Sequence, residues 1–203
     1  MDENRAIGID VGISHFATTA ATTKNCRRDI ENPRFLTKGL PHLRYLSRQL
    51  SKKVKKSKNS FKARIKLSKL HARIKNLRNE FVQQLSSEMI KNHDIFCIES
   101  LDISNLLKKS PKGLSRAISD AGWRSFLQCL RYKAEELGKH LVEAGKYFPS
   151  SQICASCDNR QQMPLFVREY NCAIVLKAAG MTVLKACGAA LVGGSVEAGI
   201  SRL

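Results

Sequence analysis

No apolar run in this 203-residue chain approaches the roughly 18–20 residues that a membrane-spanning helix needs. The start, Met1-Asp2-Glu3-Asn4-Arg5, has neither a basic n-region nor an apolar h-region. That argues against secretion and for a cytoplasmic protein without a membrane partner. Acidic side chains are scarce: 17 Asp and Glu stand against 35 Lys and Arg, a formal net charge of +18. Such an excess favours a polyanionic partner. Ribosomal proteins share it, so charge alone does not select a nuclease. The seven cysteines are odd in number, and only Cys154 and Cys157 form a tight pair. A reducing compartment with a metal site fits that pattern better than a disulfide framework. Cys26, Cys97 and Cys129 are most simply free thiols. Hydrophobic residues at 43% exclude a disordered polycation, and the length suits one domain, or one with a small appendage.

The acid deficit is local. Between Glu31 and Glu80 there is no Asp or Glu at all, while Lys and Arg recur throughout. Leu43, Leu46, Leu50 and Val54 follow a helical period, as do Leu70, Ile74, Leu77, Phe81, Leu85 and Met89. Ser57-Lys58-Asn59-Ser60 breaks the two runs with turn-forming residues. The spacing predicts a helical hairpin over about 38–92 with apolar inner stripes and basic outer faces. Like charges at i,i+4 repel, and phosphate would relieve them, releasing counterions and giving salt-dependent affinity. Lys52, Lys53, Lys55, Lys56, Lys58, Lys62, Arg64 and Lys66 are the candidate nucleic-acid contacts.

Two apolar runs carry the candidate chemistry. Ile7-Gly8-Ile9-Asp10-Val11-Gly12 and Ile95-Phe96-Cys97-Ile98-Glu99 both read as buried strands. Each delivers one carboxylate near its C-terminal end, where it is costly unless solvated, paired or bound to a cation. On neighbouring strands the two would form a hard, oxygen-rich site for Mg²⁺ or Mn²⁺. Taken singly, Asp10 is as well explained as a turn starter before Gly12, and Glu99 as a loop cap.

Elsewhere the pattern is coarser. Arg5 to Val11 and His15 to Ala20 read as two strands, with a third around Asn32-Pro33-Arg34-Phe35. Asp102 to Ser115 reads as a polar surface loop. Ser119 to Leu137 reads as a helix ending at Gly138, with Trp123 more simply core than a stacking platform. Leu141–Phe148 is strand-like. Cys154 and Cys157, two residues apart, can hold one side of a tetrahedral Zn²⁺.

Five motifs then fall in one order: Gly8-Ile9-Asp10-Val11-Gly12, Ile98-Glu99-Ser100-Leu101, Phe148-Pro149-Ser150-Ser151, Cys154-Ala155-Ser156-Cys157 and Val167-Arg168-Glu169-Tyr170-Asn171-Cys172. Together they resemble the RuvC-like and zinc-ribbon part of TnpB-type (OrfB) proteins of insertion sequences, relatives of type V CRISPR nucleases. The resemblance implies an α/β fold: an RNase H-like (RuvC-like) mixed sheet over 1–148 with the basic hairpin inserted. A partial zinc ribbon over 149–180 and a Gly-rich tail over 181–203 would follow. It implies RNA-guided, metal-dependent cleavage of DNA, with DNA and a guide-type RNA as partners. Asp10 and Glu99 would be catalytic ligands of Mg²⁺ or Mn²⁺, and Cys154, Cys157 and Cys172 ligands of Zn²⁺.

Two departures qualify that expectation. The family's second knuckle has a further Cys a few residues on, but here Ala173-Ile174-Val175-Leu176 follows Cys172, leaving the fourth zinc ligand unassigned. The Asp that supplies the family's third carboxylate is also missing, since no Asp occurs after Asp158. Glu169 and Glu197 do not replace it on sequence grounds. The sequence therefore predicts a transposase-type protein with an impaired nuclease site. A non-catalytic RNA- or DNA-binding derivative and a decayed reading frame are the alternatives.

Overall fold

A computed structural model describes residues 5–21, 27–145, 150, 152–157, 159–160, 165–186 and 195–198. Strands β1 (Ala6–Val11), β2 (His15–Ala21) and β3 (Arg27–Glu31) form a meander. Helices α1 (Phe35–Ser51) and α2 (Lys58–Asn92) follow, then β4 (Ile95–Glu99). Helices α3 (Ile103–Lys109), α4 (Lys112–Ala121) and α5 (Trp123–Glu136) lead to β5 (His140–Ala144). Helix α6 (Leu165–Ala186) and strand β6 (Ser195–Ala198) complete the described elements. All six strands join one sheet in the order β3-β2-β1-β4-β5-β6. β1, β2 and β3 pair antiparallel, whereas β1-β4, β4-β5 and β5-β6 pair parallel.

The β1 and β4 runs are nearly continuous in apolar residues because both faces of the central strands are covered, as parallel sheets require. On one face, α2 and α5 bury Val82, Leu85, Met89, Phe126 and Leu130 with Phe16, Phe96 and Ile98. Phe16 stacks edge-on against Phe81 and Phe126, at centroid distances of 5.0 and 5.2 Å. On the other, α6 lies against Ala6, Ile95, Cys97 and Val142 through Leu184, with Met181 and Val183 packed alongside. This helix approaches the sheet backbone to backbone. A Cβ on Gly8 would fall 1.8 Å from the Ala173 carbonyl oxygen, and one on Gly180 would fall 2.3 Å from Cys97 Sγ.

The expected hairpin is present. Its turn, however, spans 52–57, and Val54 lies there at 80% exposure instead of continuing the apolar stripe. Three other expectations are corrected. The third strand lies earlier than Asn32, at Arg27–Glu31, with only Ile30 buried; charged edge strands of this kind carry little apolar signal. The stretch after Asp102 is helical: Asp102 accepts from Asn105 N at 3.0 Å and caps α3. The helix expected over Ser119 to Leu137 is two, divided at Gly122, whose φ of +74° breaks the run. Trp123 is core, 5% exposed. Helix α6 continues past residue 180, and β6 pairs with β5, so the tail segment contributes to the sheet.

The base of the hairpin is locked from outside. The residue preceding α1, Arg34, is left-handed (φ 49°) and supplies no side-chain cap. Asp120 of α4 takes over that role: its carboxylate accepts from Leu36 N at 2.9 Å and Thr37 N at 3.1 Å. Arg78 of α2 donates to the same carboxylate at 2.9 Å. A negative charge at a helix N-terminus satisfies its open N–H groups and opposes its dipole.

A candidate metal-carboxylate site and a basic hairpin

Asp10 and Glu99 are brought together by strand pairing. β1 and β4 run parallel with Ile9 opposite Ile98, so the next residue along each strand is a carboxylate at the same end of the sheet. Both are partly buried, and β4 ends at Glu99. Burial, then the negative charges of Glu99 and Glu169, push the Asp10 carboxyl up to about 7, while Arg168 pulls it down. Burial also raises Glu99.

Glu169 is the residue that the sequence reading discounted. It sits on the face of α6 that contacts the sheet, one turn before Ala173 and in helical register with Gly180. Because α6 lies so close to Gly8, that face reaches the C-terminal end of β1. There Glu169 Oε1 would be 3.6 Å from a Cβ at Gly12, and Oε2 lies 3.4 Å from His15 Nδ1. The available signal was periodicity: Glu169, Ala173 and Gly180 recur at i, i+4 and i+11, one face of a helix. Among the described residues, no three His, Cys, Asp or Glu side chains are gathered into a group able to hold a metal ion. Glu169 is thus beside the pair and held by His15.

The chemistry of Asp10, Glu99 and Glu169 suits a hard divalent cation, since all donors are carboxylate oxygens and Arg168 offsets only part of the cost of burying charge there. In the absence of cation, burial and repulsion at Asp10 make stability pH-dependent. A carboxyl raised in the folded state holds its proton there while the unfolded chain has released it. Its stabilisation is complete below pH 4 and lost as pH rises through about 7. Asp10→Asn should abolish that loss. In chelator, the variant should exceed the parent at pH 8 by on the order of 4 kcal/mol, with little difference at pH 4, as read from urea unfolding midpoints.

The cysteines separate. Cys154 and Cys157 share a turn, and the Ser156 and Cys157 backbone N–H groups hold the Cys154 thiol below its ordinary value. Asn171 ties this turn to α6, accepting from Ala155 N at 2.7 Å and donating to the Ile153 carbonyl. Cys172 is on α6 and buried, and desolvation and the charge of Asp10 push its thiol up to about 12. Zinc requires thiolates, and the described residues do not assemble a zinc centre. Cys187 lies outside the described residues. Protein purified without a chelating tag should retain less than one equivalent of Zn²⁺ after dialysis against chelator. Elemental analysis giving a full equivalent would show that further ligands complete the site.

All eight basic candidates of the hairpin are exposed. Lys52, Lys53, Lys55 and Lys56 occupy the turn; Lys58, Lys62, Arg64 and Lys66 occupy the first turns of α2. Among the described residues none of the eight forms an ion pair with a carboxylate. No described helix is long and apolar enough to cross a membrane.

A mixed sheet of this order, with carboxylates on adjacent central strands and helices on both faces, defines an RNase H-like α/β protein. Solved structures agree on the fold. The chain superposes on a Cas12f1 protein, from a structure described as a Cas12f1-sgRNA-target DNA complex, with a TM-score of 0.59 at 16% identity. That match covers 84% of this chain and 38% of the other. A CRISPR-Cas12f ternary complex gives a TM-score of 0.57 at 15% identity, covering 85% and 38%.

Sequence comparison supplies the family. Residues 1–110 match OrfB_IS605, described as "Probable transposase", and the chain belongs to that family. Residues 123–180 match the Cas12f1-like TNB domain. A Streptomyces pristinaespiralis protein named "Putative RNA-guided DNA endonuclease" is 38% identical over 82% of this chain and 40% of its own length. The Escherichia coli protein "Putative RNA-guided DNA endonuclease InsQ" is 32% identical over 90% of this chain and 50% of its own. The chain thus spans half or less of the curated relatives it matches.

Proposed function

We propose that this chain is the RNase H-like core of an RNA-guided DNA endonuclease, binding guide-type RNA and DNA through the α1–α2 hairpin. In this reading it carries a weakened metal-dependent hydrolytic site at Asp10, Glu99 and Glu169. The observation that supports it best is the side-by-side placement of Asp10 and Glu99 on parallel strands, with Glu169 raising the charge density at Asp10. Asp10 and Glu99 would hold Mg²⁺ or Mn²⁺. When bound, such a cation polarises a phosphoryl oxygen and lowers the pKa of a bound water. The chain's own contribution is to fix the two carboxylates on rigid strands and to keep them partly dry. Glu169 keeps Oε2 on His15 and has Oε1 near Gly12. Among the described residues it is not gathered with Asp10 and Glu99 into one three-ligand group, which supports a slow site.

One set of assays tests both halves. RNA and DNA affinity should fall steeply with salt. Replacing Lys52, Lys53, Lys55 and Lys56 together with Gln should weaken binding and flatten the slope. Cleavage of single- and double-stranded DNA, with candidate guide RNA and saturating Mg²⁺ or Mn²⁺, should remain within about tenfold of the Asp10→Ala background. Rapid cleavage that vanishes in Asp10→Ala would show a fully competent site. Binding unchanged in the lysine variant would remove the hairpin from the interface.

A further inference from the structure

We propose that the groove between α2 and α5 is a pocket for one unstacked nucleobase of a single-stranded nucleic acid. The idea rests on the nucleic-acid binding argued above but concerns a different surface from the basic turn. Between the two helices lies a cavity of about 260 Å³ floored by Val82 and Cys129. Asn79 and Gln83 of α2 form one wall; Ser125, Gln128 and Tyr132 of α5 form the other.

The lining has the chemistry of a base edge reader. Two carboxamides, Asn79 and Gln128, each offer a donor and an acceptor, the complement of the paired groups on a nucleobase edge. No carboxylate is among the lining residues. The third carboxamide is used within the wall and sets the position of Tyr132: Gln83 Nε2 donates to Cys129 Sγ at 3.3 Å, and Tyr132 OH donates to Gln83 Oε1 at 3.1 Å. Tyr132 is 44% exposed, leaving its ring available to a base. Lys133 Nζ lies 5.9 Å from that ring and is anchored on Gln83 O, Ser86 Oγ and Ser87 Oγ. Lys75, one turn before Asn79 on α2, and Arg124, next to Ser125 on α5, are exposed and would supply charge for the flanking phosphates. The volume lies below the roughly 300–1,000 Å³ of sites for drug-sized ligands, which suits a single planar base and excludes a stacked pair.

Cys129 on the floor gives a direct reporter. The probes are mixed-sequence single-stranded RNA and DNA, alongside an abasic oligonucleotide of equal length and charge. Iodoacetamide labelling of Cys129 is followed peptide by peptide at saturating oligonucleotide. Slowing of at least about fivefold by base-bearing strands, with none by the abasic strand, is the expected result. Tyr132→Ala and the pair Asn79→Leu, Gln128→Leu should each weaken base-bearing strands by about tenfold, the scale of one lost base–aromatic stack. The salt slope should not change, because no phosphate contact is removed. Equal protection by the abasic strand would show that the backbone merely covers the groove and would overturn the pocket. Salt-dependent binding without protection would also overturn it, leaving the hairpin interface standing. Absence of any binding would overturn both.

Discussion

Gly8→Ala should cost at least about 3 kcal/mol of folding free energy, read as a fall in the urea midpoint without a change in slope. The methyl group would lie 1.8 Å from the Ala173 carbonyl oxygen and 3.0 Å from Lys177 Cβ. Neither is the free end of a side chain, so α6 must move away from β1 as a body. That movement opens its packing against Cys97 and Val142 and draws Glu169 away from Asp10. Gly12→Ala provides the comparison. Its Cβ would meet the His15 carbonyl oxygen at 3.2 Å and Glu169 Oε1 at 3.6 Å, contacts that small adjustments relieve. Its cost should stay near 1 kcal/mol. Equal, small losses for the two variants would show that α6 is not seated directly on the sheet.

Asp120→Ala should be comparably severe, on the order of 3–5 kcal/mol. The carboxylate is 3% exposed and satisfies two backbone N–H groups of α1 together with Arg78. Its removal strands a partly buried guanidinium whose Nε already lacks a partner among the described residues. Asp120→Asn retains an acceptor for α1 but loses the charge, so about half the loss should return. Amide exchange localises the effect: Leu36 and Thr37 should lose protection in Asp120→Ala while β1 and β4 follow only the global change. Uniform loss at all sites would place the role of Asp120 elsewhere.

The contrast between these residues explains what the sequence could and could not convey. β1 and β4 were legible because burial on both faces leaves a nearly unbroken apolar signature, and β2 because Phe16 to Ala21 is uncharged and buried almost throughout. Asp10 and Glu99 stood out as charges at the ends of the β1 and β4 runs. The hairpin was legible because α1 and α2 carry a repeating apolar stripe under a strongly basic surface. β3 was misplaced because Arg27, Arg28 and Asp29 give it the composition of a loop, and only pairing with β2 makes it a strand. α3 was missed because seven residues are too few to display a period, and α4 because Lys112 to Ser115 at its start has the composition of a loop. Glu169 was discounted because it belongs to the Arg168-Glu169-Tyr170 motif, ahead of Cys172, whereas the family's third carboxylate follows the second knuckle. In the structure the same residues form a helix, and the distance that matters runs from α6 to Gly8. Asp120, far from any motif, acts on α1 across 84 residues of sequence. No local pattern records such a contact.

The length of α2 has a mechanical consequence. Its buried apolar residues run from Ile74 to Ile90, while Phe61 and Ile65 near its start are exposed at 63% and 39%. At 1.5 Å per residue, the start of the helix stands roughly 24 Å from that anchor. The helix is therefore a lever with its fulcrum in the core and its load at the lysine-rich turn. A tilt of about 5° at the fulcrum displaces that turn by about 2 Å over this arm. Asp120 and Arg78 brace the lever within its anchored span, tying it to the start of α1 and leaving the lysine-rich end as the long free arm.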